Sequence, residues 1–207
     1  MTKTVIEPSW FPTRPVYGVL EPHQGSAHLS VADGEGAGAV LALFARADEQ
    51  GMDLRPTAHI IYVPAANGTD LGDTLAQIGA AKFYHGPSLS AALPRLRKTL
   101  TDAQMGLQIY LAGTETLIGI AQSEAINAGF PHDGMITEHR GSLARRVQCV
   151  HCKGITENVT TDPVKCDHCG LYLTVRDHYS RRLAAFQGVN VDAENPGQVP
   201  ELVEKFS

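Results

Sequence analysis

The stretch Ala27-His28-Leu29-Ser30-Val31-Ala32, then Asp33-Gly34-Glu35-Gly36-Ala37-Gly38, then Ala39 to Gln50 (AVLALFARADEQ) decides the fold class. It opens as a short apolar run of strand length. A glycine-rich turn follows, and then an apolar-rich run of strong helix formers that Gly51 stops. Strand, glycine turn and helix make the opening of a nucleotide-binding βαβ unit. The glycines let the backbone approach a pyrophosphate, and the helix N-terminus offers N–H donors and a positive dipole end. Gly34, Gly36 and Gly38 are therefore candidate cofactor-binding residues. The same glycines also suit plain strand–helix packing, and the pattern leaves both readings open.

Outward from there the rhythm repeats. Thr57 to Val63 reads as a second buried strand, Thr69 to Gly79 as a helix capped by Thr69 or Asp70, and Ala81 to His85 as a third strand. Leu89 to Leu100 reads as a helix interrupted near Pro94. Leu107 to Ala112 is a strand ending at Gly113-Thr114, Glu115 to Ala128 a helix stopped by Gly129, and Met135 to His139 a last strand. Alternation of this kind predicts a parallel sheet sandwiched by helices. Before it, residues 1–26 carry Pro8, Pro12, Pro15 and Pro22, which forbid a helix. Trp10, Phe11 and Tyr17 interleave with them, as in an extended arm that docks its aromatics on a neighbour.

All four cysteines lie further on, as Cys149-x2-Cys152, thirteen intervening residues, then Cys166-x2-Cys169. Each C-x2-C turn brings two thiolates to one side of a tight loop, and two turns complete a tetrahedral four-sulfur site. Thr156 to Thr161 with Asp162-Pro163 reads as strand and turn, and Gly170 to Val175 as the return strand, which together make a zinc ribbon. A rubredoxin-like iron site uses the same ligands. His151 and His168 sit inside the knuckles and read as surface groups around a site that four cysteines already complete. A closed four-sulfur site offers substrate no open position, so the metal is structural and no catalytic residue is assigned.

The chain of 207 residues is 43% hydrophobic with a formal charge of −5, a balance that argues against nucleic acid as a partner despite basic residues in the ribbon. No apolar run approaches a membrane span, and the N-terminus lacks the apolar stretch of a signal peptide, so a cytoplasmic protein with reduced thiols is expected. Asp177 to Phe186 reads as a short helix or loop in which His178, Arg181 and Arg182 form a solvated face, with an anion or a partner's carboxylate as the alternative they could hold. Asn190 to Ser207 reads as a polar tail. The division is an arm (1–26), a Rossmann-like lobe (27–142), a four-cysteine zinc ribbon (143–188) and a tail (189–207).

VADGEGAGAVLALFARADEQG resembles the glycine strand–turn–helix of the ferredoxin–NADP reductase superfamily, and IYLAGTETLIGIAQSEAINAGFPHDGMITEH resembles its closing block. The likeness covers 27–140 and is nearest the phthalate dioxygenase reductase branch. It implies that Gly113 joins Gly34, Gly36 and Gly38 in a nucleotide site, intact or vestigial. The departures are specific: no Thr-Pro follows the first glycines, Ala112-Gly113-Thr114 stands where Cys-Gly-Pro is usual, and no flavin barrel precedes the lobe. Without a flavin a nicotinamide has no hydride acceptor in this chain. The lobe is then a scaffold, or it completes a site with another subunit.

Lobe and ribbon together resemble the DmmA-type family of small subunits of bacterial dimethylamine monooxygenase, with CVHC…KCDHCGLYLTVRDHYSRRLAAFQGV as the most specific part. The resemblance implies an auxiliary, non-haem subunit of an NADPH-dependent complex that demethylates dimethylamine to methylamine and formaldehyde. Zinc is expected on this chain. By the same resemblance, haem, FMN, a 2Fe–2S cluster and NADPH are expected on a haem-bearing monooxygenase subunit and a flavin/iron–sulfur reductase subunit. The alternatives are an NAD(P)H-binding subunit passing hydride to a partner's flavin, and a nucleic-acid-binding ribbon protein.

Overall fold

The strand Ala27–Asp33 (β1) runs through the centre of the larger sheet, with Leu29 and Val31 facing one helical layer and Ala32 the other. The computed structural model describes residues 14–65, 68 and 70–207. After β1 come Gly36–Glu49 (α1), Ala58–Val63 (β2), Gly72–Ala76 (α2), Lys82–His85 (β3), Leu89–Thr101 (α3), Leu107–Gly113 (β4), Glu115–Asn127 (α4) and Met135–His139 (β5). All pairings are parallel, in the order β3-β2-β1-β4-β5. All six residues of β2 are buried, as a strand covered on both faces requires. Helices α1 and α2 cover one face, and α3 and α4 the other. Strand order reverses between β1 and β4, which opens a crevice at their C-terminal ends. This is the parallel α/β lobe that the alternating pattern predicts.

Two helices differ from expectation. Helix α3 runs unbroken through Pro94. A proline inside a helix costs about 3 kcal/mol, chiefly through one lost backbone bond. Here the bereft carbonyl is that of Ser90, an exposed residue. Ala92, Leu96 and Leu100 bury the opposite stripe, and Ser88 caps the start by accepting from the Ala91 N–H at 3.3 Å. Helix α2 is shorter than its expected span, starting at Gly72. Asp70 accepts from the Gly72 N–H at 2.8 Å, and the Thr69 alternative lies outside the described residues.

The arm corrects the expectation of docking on a neighbour for its described part, 14–26. The Tyr17 hydroxyl donates to Glu115 at 2.9 Å, the Gly18 N–H to the Thr137 carbonyl at 2.9 Å, and the Leu20 N–H to Glu138 at 2.8 Å. Leu20 is fully buried in the α1-side core. The segment is thus a strap across its own lobe. Trp10 and Phe11 lie outside the described residues.

The C-terminal part builds a second sheet from Arg145–Cys149 (β6), Ile155–Val159 (β7), Val164–Lys165 (β9), Tyr172–Ser180 (β10) and Ala185–Asn190 (β11), in the order β7-β6-β11-β10-β9; Thr161–Asp162 (β8) stands apart. The expected helix or loop over Asp177 to Phe186 is instead the end of β10, a turn and the start of β11. Tyr179 and Phe186 face each other across this hairpin with ring centroids 4.9 Å apart, and both are buried. That contact outweighs the local polarity of Asp177 and His178, which sit at a register shift and are exposed, as are Arg181 and Arg182. The expected polar tail is corrected in part too: Val203–Glu204 (β12) pairs with β8, and Phe206 is buried. Leu173 and Phe186 are core residues of this sheet. The two sheets meet where Tyr179 and Ala184 press on Gly119 of α4, a position with no room for a Cβ.

Candidate metal centre and nucleotide crevice

Strand β6 ends at Cys149 and the chain folds back at once. The Lys153 N–H donates to the Cys149 carbonyl at 2.9 Å, and the Cys149 N–H to the Gly154 carbonyl at 2.9 Å. The second knuckle repeats the first: the Gly170 N–H donates to the Cys166 carbonyl at 3.0 Å, and the Cys166 N–H to the Leu171 carbonyl at 2.8 Å. In each, the residue after the second cysteine is left-handed, with φ of 65° at Lys153 and 75° at Gly170. The turn demands that conformation, so the first knuckle tolerates a lysine where glycine is the unstrained choice.

The four sulfurs lie within 4.8 Å of one another, with Cys149 and Cys166 buried. The Cys149–Cys169 and Cys152–Cys166 sulfurs are 3.8 and 3.7 Å apart. A tetrahedral four-sulfur site with metal–sulfur bonds of about 2.3 Å has edges of about 3.8 Å, so the thiols fit a metal ion as they stand. Backbone N–H groups help hold the sulfurs: those of His168 and Cys169 point at Cys166, and that of Gly154 reaches Cys152 at 3.4 Å. His168 bonds the Ile155 carbonyl at 2.9 Å, latching the second knuckle to β7, and His151 is exposed. Neither histidine belongs to the ligand cluster.

The crevice between β1 and β4 gathers Gly34, Gly36 and Gly113, and each has its own structural reason. Gly34 turns the chain out of β1 with φ of 44°. Gly36 lies so close to the Ala112 carbonyl that a Cβ would collide with it. Gly113, with φ of 125°, faces the Asp33 carboxylate at equally close range. Gly38 borders open space on the exposed face of α1.

Asp33 fills the centre of this crevice. One of its oxygens accepts from the Thr114 N–H at 2.7 Å and the other from the Thr114 hydroxyl at 2.6 Å. That hydroxyl in turn accepts from the Leu117 N–H at 3.3 Å, so the start of α4 is capped from within. Burial raises the Asp33 pKa, and the Thr114 bonds oppose that rise. Glu115 and Glu138 lie buried close by, held by Tyr17 and Arg140. In folds of this order the crevice and the helix start are where a pyrophosphate binds. Here the Asp33 carboxylate lies against the start of α4. Glycine spacing drew attention to the turn and passed over Asp33, whose signal was a carboxylate at the end of β1.

The family profile of the dimethylamine monooxygenase subunit DmmA-like N-terminal domain matches residues 9–135, and that of the DmmA-like C-terminal domain matches 146–189. The chain belongs to the DmmA-like family. It is 31% identical over 145 residues to the heme-dependent oxidative N-demethylase delta subunit of Ectopseudomonas mendocina (strain ymp), covering 68% of this chain and 83% of the relative. Among solved structures, phthalate dioxygenase reductase superposes with a TM-score of 0.44 at 14% identity, covering 69% of this chain and 46% of that one. Flavohemoglobin from Malassezia yamatoensis gives 0.43 at 17% identity, covering 59% and 33%. This DmmA-like chain therefore spans less than half the length of either of those proteins. Among its described residues, no helix is long and apolar enough to cross a membrane.

Proposed function

We propose that this chain is a redox-inert subunit of a haem-dependent oxidative N-demethylase complex, of the kind that converts dimethylamine to methylamine and formaldehyde with NADPH. Haem, FMN and a 2Fe–2S cluster reside on a haem-bearing subunit and a flavin/iron–sulfur reductase subunit, and zinc fills the four-cysteine centre of this one in the cytoplasm. The observation that supports this reading is the Asp33–Thr114 clamp. Its carboxylate spans the crevice at 2.7 and 2.6 Å from Thr114, on the ground a dinucleotide's pyrophosphate would need. Two anions at one desolvated place repel, and the Thr114 N–H at the start of α4 is already spent on Asp33. Zinc with four thiolates has no open position and no second oxidation state, so it ties the knuckles and carries no electrons. The lobe then serves as a rigid spacer between partners.

The test has two arms. NADPH titrated into the isolated chain should show no saturable heat; a micromolar dissociation constant would overturn the redox-inert reading. Co-expression with candidate haem and flavin/iron–sulfur partners should yield one complex with haem and flavin absorbance and NADPH-dependent formaldehyde release from dimethylamine. Recovery of those activities without this chain would sink the subunit reading.

A further inference from the structure

At the opposite end of the larger sheet, below the N-terminal ends of β1, β2 and β3, a cavity of about 950 Å³ lies against α3. Its lining is mostly apolar, and its volume falls in the range of small-ligand sites. It is remote from both the metal centre and the crevice.

Three cations line it, Lys82, Arg95 and Lys98, against one carboxylate, Asp102. Lys98 pairs with Asp102 at 2.7 Å. Among the described residues, no ion pair is formed by Lys82 or Arg95. The site is thus locally positive on a chain whose formal charge is −5. Arg95 is also posed: its guanidinium lies over the Tyr84 ring, 4.5 Å from the centroid. Stacking holds the plane of the group and leaves its N–H edges free for a carboxylate.

The wall contributes one buried polar atom with nothing to bond. His59 is 8% exposed, and its Nε2 has no partner. As the second residue of β2 it faces the α3 side with Ile61 and Val63, the side of the cavity. The hydrogen bonds favour one tautomer: with the Thr99 hydroxyl giving its hydrogen to the Arg95 carbonyl at 2.9 Å, that oxygen accepts from Nδ1–H, 3.2 Å away. Nε2 is therefore a bare acceptor. Burial, with Arg95 and Lys82 nearby, lowers the pKa to about 4 and keeps the ring neutral at pH 7. A buried acceptor left unbonded costs about 1–3 kcal/mol. Nε2 itself has almost no accessible surface, so a ligand O–H or N–H removes that penalty where the ring turns toward the cavity.

We propose that this cavity binds a small organic anion: an apolar, ring-sized body with a carboxylate for Arg95 and Lys82 and a hydroxyl donor for His59 Nε2. Body, anion and donor each answer a feature of the wall, and a plain phosphate answers only one.

The probe is 4-hydroxybenzoate, titrated into the full-length chain and followed by calorimetry and ligand-observed NMR. Saturable binding is expected, with benzoate (no donor) and 4-hydroxybenzyl alcohol (no anion) each weaker by about tenfold or more. Arg95→Gln should weaken 4-hydroxybenzoate to a similar degree, and Ala91→Trp, at an exposed position on the cavity wall, should block it. Both residues are exposed, so the variants should retain the parent's circular dichroism and metal content. The absence of saturable binding up to ~10 mM, or binding that both variants leave unchanged, would overturn the proposal.

Discussion

The guanidinium carbon of Arg145 lies 4.1 Å from the centroid of the Phe206 ring, and this stack closes the C-terminus onto the small sheet. Phe186 covers the other face at the same distance, and Asp177 bonds the edge at 2.9 Å. A cation only 4% exposed is tolerable because two ring faces and a carboxylate surround it. Phe206→Ala, or removal of Val203–Ser207, strips one face and opens the charge. A loss of about 2–4 kcal/mol is expected, measured by denaturant unfolding of the zinc-loaded chain. An unchanged midpoint would mean the tail adds nothing.

The metal centre should hold one zinc per chain, and the isolated protein should be colourless. Elemental analysis and an absorption spectrum check this; iron with thiolate charge-transfer bands would refute it. Cys166→Ser should unfold the small sheet, because metal binding supplies most of the folding energy of such modules.

Gly36 and Gly38 stand two residues apart on α1 and should respond oppositely to alanine. At Gly36 the new methyl meets the Ala112 carbonyl, and an overpacking loss of about 1–3 kcal/mol is expected. At Gly38 nothing lies within 4 Å, so alanine should stabilise by about 0.5–1 kcal/mol through helix propensity. Thermal unfolding separates the two. Equal effects would show that α1 does not pack as described.

Asp33 gives the crevice a pH signature. Burial raises its folded-state pKa above the ordinary 3.8, so the folded chain holds this proton more tightly than the unfolded one. Its stabilising contribution is full below that ordinary value and declines as pH rises through the folded-state pKa. Asp33→Asn keeps an acceptor for the Thr114 N–H and removes the decline. The variant should exceed the parent in melting temperature at neutral pH, and the gap should narrow towards about pH 4. A gap that widens in acid would reverse the assigned sign.

Much of the larger sheet was legible because its signals are local. Apolar runs of strand length, the stops at Gly51 and Gly129, and strict alternation with helices point to one parallel architecture. Pro94 misled because propensity sees a missing N–H and cannot see that Ser90, whose carbonyl loses it, is exposed. Asp177 to Phe186 misled for the converse reason: five polar residues surround a tyrosine whose partner, Phe186, lies across a turn.

By itself the sequence determined the four-cysteine cluster, since C-x2-C spacing alone draws paired thiolates onto one side of a turn. It also determined the parallel α/β class, since covalent order and hydrophobic period leave few alternatives. The fate of the crevice was decided only in three dimensions. Asp33 and Thr114 are 81 residues apart, and their bonds exist because parallel pairing of β1 with β4 sets the two strand ends side by side. The same holds for Arg145 between Phe186 and Phe206, and for His59 with its lone pair at the cavity wall. Burial and long-range juxtaposition fix what such polar groups do, and neither is a property of neighbouring residues in the chain.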